Sequence, residues 1–251
     1  MTKDRLKSLD KVRGVLFDLD GTLLQVEMMD FIPAYIERLA VHFADVARHH
    51  DFARVMRATT FALISGADGT ITNEEFFCST MEAELGIEGG LFSRRLRCFC
   101  ADGLASLSPL IRPLPLARGI LRRCFERGLK VAIATNPVFP RPLVEARLQW
   151  GEIADFPYDL VTSFENSRYC KPHPGYFLQV LEHLCLAPEE VVMIGNDTEH
   201  DLGARAAGIA SFLVDTWLVD RLDGDFQADF RGNHLDLFRF IGRLGETRPP
   251  V

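Results

Sequence analysis

The chain of 251 residues has no stretch of about 18 uncharged apolar residues, the length a helix needs to cross a bilayer. No membrane-spanning helix is expected. Its opening residues, MTKDRLKSLDKVRG, lack the apolar run and small-residue cleavage site of a secretory signal, so a cytoplasmic location is expected. Cysteines never occur as CxxC or at Cys/His spacings suited to zinc, and those at positions 78, 98, 100, 124, 170 and 185 are read as free thiols. Cys98 and Cys100 flank Phe99 in a helical pattern, where residues two apart point to different faces and do not share a metal. A basic excess is also missing. Lys and Arg number 28 against 35 Asp and Glu, a net charge of -7, which argues against a general nucleic-acid binder. The local cluster Arg94, Arg95 and Arg97 reads as a solvated helix face rather than a landing site for an anion. Neither internal repeats nor low-complexity segments occur.

What is present is an ordinary globular balance, 47% hydrophobic and 25% charged, on a chain long enough for one large domain or a core with an insertion. Residues 12–17 (VRGVLF) form a short apolar run that suits a buried parallel strand. Similar runs follow at 130–134 (KVAIA), 191–194 (VVMI) and 211–214 (SFLV), with a weaker one at 158–162 (YDLVT). Between them, residues 116–127, 141–150, 175–184 and 199–207 repeat apolar side chains at three- and four-residue spacing, the mark of helices. Alternating strands and helices imply an α/β fold with a Rossmann-like parallel sheet covered on both faces. The interval from Leu24 to about Leu110 reads instead as consecutive helices without convincing strands between them: 28–49, 51–64, 72–85 and 88–103. Thr72 with Glu75 forms a capping box there, and SPLIRPLPL, residues 108–116, reads as a proline-rich hinge back to the sheet. The expected division is a discontinuous core of 1–23 and 112–251 around a helical insertion of 24–111. A final helix is expected at 235–244.

The chemistry-bearing residues fall at strand ends. In open parallel sheets, ligands gather beyond the carboxyl ends of strands, where helix N-termini and loops offer free donors. Asp18 and Asp20 stand there in Asp18-Leu19-Asp20-Gly21, followed by Thr22. A carboxylate such as Asp18 can attack a phosphoryl group if a cation screens the two anions, and Asp20 can serve as acid and base. DxDG alone also describes an Asx-rich turn. Thr135 and Asn136 follow the next strand, where a hydroxyl and backbone N–H groups can hold a phosphate oxygen or simply cap a turn. Lys171 lies in CKPHP, before a helix, and its ammonium can neutralise phosphoryl charge. His173 beside it is read as a loop residue. Asp197, in GNDTEHD after the strand VVMI, can donate oxygen to a hard cation, and Asp201 falls one helical turn later. Acids at that place also suit a helix dipole.

In this order and context the four segments resemble the haloacid dehalogenase (HAD) superfamily, with DLDGT as first motif, Thr135 as second, Lys171 as third and GNDTEHD as fourth. The likeness covers nearly the whole chain. The helical insertion resembles the C1-type cap of that superfamily, and LFDLDGTLL and ATNPVFP resemble its phosphatase-like branch. The resemblance implies a Mg2+-dependent phosphatase acting on a small phosphate monoester through an aspartyl phosphate. Asp18 would be nucleophile and metal ligand; Asp20 would be acid and base and bind metal through its backbone carbonyl. Thr135, the backbone N–H of Asn136, and Lys171 would hold the phosphoryl group. Asp197 would be a metal ligand, with Asp201 orienting the site behind it. The implied partner is a small phosphorylated metabolite, with neither nucleic acid nor membrane.

Four other readings share parts of this pattern. A dehalogenase on the same fold lacks an acid/base aspartate two residues after its nucleophile, so Asp20 argues against it. A phosphomutase shares the aspartyl phosphate and differs mainly in what the cap admits. A signalling receiver has no helical insertion of this size. A non-catalytic phosphate-binding protein on the HAD fold usually has a lost carboxylate, and none is missing here. The leaving group is not readable: Phe31, Tyr35, Phe61 and Phe76 in the insertion read as core rather than pocket.

Overall fold

Residues 14–17, GVLF, carry no polar side chain, and in a computed structural model of the chain they form a strand buried on both faces, β1 (Gly14–Phe17). The structure describes residues 9–66 and 68–245. Residues 1–8 and 246–251, including most of the opening stretch and the outer ends of the expected core segments, lie outside the described residues. Five further strands join β1: β4 (Lys130–Ile133), β5 (Leu160–Val161), β6 (Val191–Gly195), β7 (Ala210–Val214) and β8 (Phe230–Gly232). They pair in parallel in the order β5-β4-β1-β6-β7-β8. β1 lies between β4 and β6, with Phe17 opposite Ile133 on one side and Ile194 on the other. Pairing continues past the strand ends, as Asp18 N donates to Ile194 O at 2.8 Å and Ala134 N to Phe17 O at 2.6 Å. Asp18, Thr135 and Asp197 therefore leave the sheet along one edge, beside the point where the strand order reverses.

Strand alternation sorts the core into two layers. Leu16, Ala132, Val191 and Met193 pack with Tyr176, Phe177, Val180 and Leu181 of the helix Pro174–Leu184. Val15, Phe17, Val131, Ile133, Val192 and Ile194 face the other way, into a cluster shared with the helices Ala117–Glu126, Arg141–Trp150 and His234–Ile241. That second cluster runs without a break into the inserted helices, through Phe31, Tyr35, Phe43 and Phe52.

The inserted segment contains α1 (Met28–Val41), α2 (His49–Gly66), α3 (Asn73–Leu85) and α4 (Gly89–Asp102). The helices that follow are α5 (Ala117–Glu126), α6 (Arg141–Trp150), α7 (Pro174–Leu184) and α8 (His234–Ile241). The capping box on α3 is present, with Thr72 Oγ1 accepting from Glu75 N at 3.2 Å and Thr72 N donating to Glu75 Oε2 at 2.7 Å. Arg95 of the basic cluster pairs with Asp45 and donates to His42 O, which makes it part of the helical packing.

Three expectations are corrected. The single helix expected at 28–49 breaks after Val41, because Phe43 turns inward to stack on Phe52 at 4.6 Å. No strand lies between the inserted helices among the described residues, but β2 (Leu24–Val26), before them, pairs antiparallel with β3 (Ile111–Pro113), after them, so the supposed hinge is one half of a two-stranded neck. Three-residue strands are too short to show a period of two. The helix expected at 199–207 is a 3-10 segment, Leu202–Ala207, ended by Gly208 in the left-handed region. β8, only FRG, gave no run to find.

Candidate active site

At the end of β1 the chain turns through Gly21, whose φ of +76° lies in the left-handed region. A Cβ there would stand 2.3 Å from Asn196 Nδ2, so the residue must be glycine on both counts. The close approach locks two loops together. Thr22 Oγ1 donates to Asn196 Oδ1 at 3.2 Å, and Asn196 Nδ2 donates to Trp217 O at 2.6 Å. His234, at the start of α8, lies 2.9 Å from both Thr22 O and Thr216 Oγ1.

Lys171 is the centre of the charged group. Its Nζ donates to Asp18 Oδ1 and to Asp201 Oδ1, each at 2.7 Å, and the side chain is 2% exposed. Asp201 Oδ2 in turn accepts from the backbone N–H of Asp197 at 2.9 Å. Gly195 makes room for this, since a Cβ there would fall 2.1 Å from Asp201 Oδ2. Asp18, Lys171, Asp201 and Asp197 thus form one continuous chain of contacts that joins the ends of β1 and β6 to the loop before α7. Asn136 braces the lysine from behind: its Oδ1 accepts from Lys171 N at 3.0 Å, and its Nδ2 donates to Lys171 O at 3.4 Å. The backbone N–H of Asn136 has no hydrogen-bond partner among the described residues. Thr135 is held through its carbonyl, which accepts from Thr162 Oγ1 at 2.8 Å and Tyr176 Oη at 3.0 Å, and its hydroxyl makes no bond among the described residues. His173 caps α7, accepting from Gly175 N at 3.0 Å, in keeping with a loop role.

Three further polar neighbours of these carboxylates were not apparent from the sequence. Arg147 of α6, fully buried, donates from Nη2 to Asp20 Oδ2. Its signal was a charge set in the apolar face Leu143, Val144, Arg147, Leu148. Arg221 Nε donates to Asp197 Oδ2 at 2.6 Å, and His200 Nδ1 lies 3.5 Å from the same oxygen. Arg221 sits in an irregular loop where no periodicity marks it.

Burial raises the pKa of Asp18 to about 7. Lys171 opposes this, but that one ammonium is shared with Asp201, and Asp201 and Asp20 both add to the rise. Burial works against the Lys171 ammonium, yet Asp18 and Asp201 hold its pKa above the ordinary lysine value. At Asp197 burial also favours the neutral acid, but the His200 ring, the His200 backbone N–H and Arg221 keep the pKa below the usual carboxylate range.

Between the ordinary carboxylate value of 3.8 and about 7, the unfolded chain is ionised at Asp18 while the folded chain keeps a proton. Raising pH across that window therefore lowers the stability of the cation-free protein. Asp18→Asn removes the loss, so in chelator the variant should gain on the parent by on the order of 1–3 kcal/mol between pH 5 and pH 8. Denaturant melts at the two pH values check it; an unchanged difference would contradict the burial assigned to Asp18.

The arrangement suits a hard cation at Asp18 and Asp197. Lys171 takes only Asp18 Oδ1, and Oδ2 has no hydrogen bond among the described residues. Asp197 Oδ2 faces Arg221, whose side chain is 43% exposed and can give way. Among the described residues no three His, Cys, Asp or Glu side chains form a metal cage, but a magnesium site of two carboxylates, a backbone carbonyl, waters and substrate oxygens does not need one.

The haloacid dehalogenase-like hydrolase model matches residues 12–208. The chain belongs to this family of hydrolases. As a HAD-like hydrolase it is similar to the pyrophosphatase PpaX of Bacillus cereus, 24% identical over 239 residues covering 93% of this chain and 99% of that one. Among solved structures it is similar to a HAD phosphatase from Thermococcus onnurineus, at TM-score 0.58 and 21% identity, covering 93% and 99% of the two chains. It is likewise similar to an L-2-haloacid dehalogenase from Xanthobacter autotrophicus, at TM-score 0.55 and 20% identity, covering 92% and 98%. These structural likenesses are of fold alone. The fold by itself does not fix the reaction, which depends on the side chains at the strand ends.

Proposed function

We propose that this hydrolase is a phosphatase that cleaves a small phosphate monoester through an aspartyl phosphate on Asp18. The observation that carries the reading is Lys171 bridging Asp18 and Asp201 at the strand ends, with a second carboxylate, Asp20, two residues beyond the nucleophile. Asp18 Oδ2, free of the lysine, attacks phosphorus and the ester P–O bond breaks, with Asp20 giving its proton to the leaving oxygen. In the second step a water attacks phosphorus, Asp20 takes a proton from it, and the bond between Asp18 and phosphorus breaks. The hydroxyl of Thr135, the N–H of Asn136 and the Lys171 ammonium neutralise the phosphoryl oxygens. Asp201 orients Lys171 and Asp197. Magnesium, held by Asp18, Asp197 and the Asp20 carbonyl, would supply charge screening for the approach of two anions.

The helices of 24–111 act as a cap that selects the leaving group and excludes water, over a core of 1–23 and 112–251. The name of the Bacillus relative supports a small phosphorylated substrate, and a cytoplasmic setting suits such a metabolite. The test is phosphate release from a panel of phosphorylated metabolites and an aryl phosphate, with magnesium and with chelator. Turnover of at least one ester, lost in chelator, is expected. Full activity in chelator would sink the metal assignment, and no turnover across the panel would favour a binding protein.

A further inference from the structure

One charged side chain beside Asp20 has no part in that reaction as described. Arg147 projects from α6 with its guanidinium 5.7 Å from the ring centre of Phe31 and 5.1 Å from that of Phe139. Those rings meet edge to face, 5.9 Å apart at 88°, and together wall in the cation. Phe31 belongs to α1 of the inserted segment, whereas Phe139 lies in the loop after Thr135. A guanidinium keeps its charge, so its complete burial is costly unless its donors are met.

They are met only in part. Nη2 donates to Asp20 Oδ2, while Nε and Nη1 are buried without a hydrogen-bond partner, and so is Asp20 Oδ1. Arginine–carboxylate pairs are frequently bidentate, yet here the second hydrogen bond is not made although each partner has an atom to spare. The single contact instead fixes one carboxylate oxygen and leaves the other uncommitted. An acid/base carboxylate needs that division: one oxygen anchored, the other presented to the reacting oxygen in a constant orientation.

We propose that Arg147 is the positioning residue for Asp20, holding Oδ2 so that Oδ1 exchanges the proton with the leaving oxygen. The inference rests on the phosphatase reading, and esters differing in leaving group separate the two. A nitrophenolate departs without a proton, whereas an alkoxide requires one, so only the alkyl ester depends on how Asp20 is held. The experiment compares kcat/KM of the parent, Arg147→Met and Arg147→Lys on 4-nitrophenyl phosphate and on the alkyl phosphate the parent turns over fastest. Arg147→Met should lower the alkyl value about 100-fold and the nitrophenyl value less than about 5-fold. Arg147→Lys, which retains the buried charge should the Met variant not fold, should give the same selective loss in smaller measure. Equal losses on both esters, no loss on either, or insoluble protein from both variants would overturn the inference and mark Arg147 as structural. Absence of turnover of either ester by the parent would overturn the phosphatase reading as well.

Discussion

Asp18→Asn is expected to lower phosphate release by at least about 10^4-fold at saturating substrate, with substrate binding retained. The amide fills the same space at the end of β1 and still offers Lys171 an acceptor, but it is a poor nucleophile toward phosphorus. Since Asp18 Oδ1 is engaged by Lys171 at 2.7 Å, the loss falls on the second oxygen, the one assigned to attack. Steady-state kinetics on the best metabolite ester checks it. Residual activity within tenfold of the parent would point to direct attack by water instead.

Lys171→Met should damage both activity and stability. The ammonium is the only positive group bonded to Asp18 and Asp201 in the charged chain among the described residues, and it is buried with both. Its removal leaves two carboxylates in a poorly solvated site, at a cost of about 3–5 kcal/mol, or roughly 10 °C in melting temperature. Phosphate release should fall by about 100- to 1000-fold, as expected for losing one stabiliser of transition-state charge. The pH dependence separates this from simple misfolding. With the lysine gone, protonating Asp18 relieves the repulsion with Asp201, so the variant should recover stability as pH falls from 8 towards 5. A deficit that stays constant across that range would contradict the ion-pair account.

The parts legible in sequence were those where one physical rule acts alone. A strand buried on both faces must be apolar throughout, so GVLF and VVMI announced themselves, and with them the places of Asp18 and Asp197 just beyond the strand ends. The capping box at Thr72 is local chemistry and was equally plain. Illegible features depend on distant partners or short elements. Arg147 meets Asp20 across 127 residues, and the charge inside α6's apolar face is a cue only once that face is known to be buried. Arg221 reaches Asp197 from a loop with no period. The β2–β3 neck and β8 are three residues each, too short for any pattern, and the turn at Phe43 is set by its stacking on Phe52. Asn136 shows a subtler gap. Sequence placed it at the site for its backbone N–H, whereas its side chain also braces Lys171.

The covalent role of Asp18 is tested most directly by rapid mixing of Asp20→Asn with 4-nitrophenyl phosphate in magnesium. The asparagine keeps an acceptor for Arg147, and nitrophenolate leaves without an acid, so phosphorylation proceeds while the water step loses its base. The account predicts a burst of one nitrophenolate per enzyme, slow phosphate release thereafter, and phosphate recovered on the peptide containing Asp18. Nitrophenolate and phosphate appearing together at one rate, with no burst and no phosphorylated peptide, would contradict it.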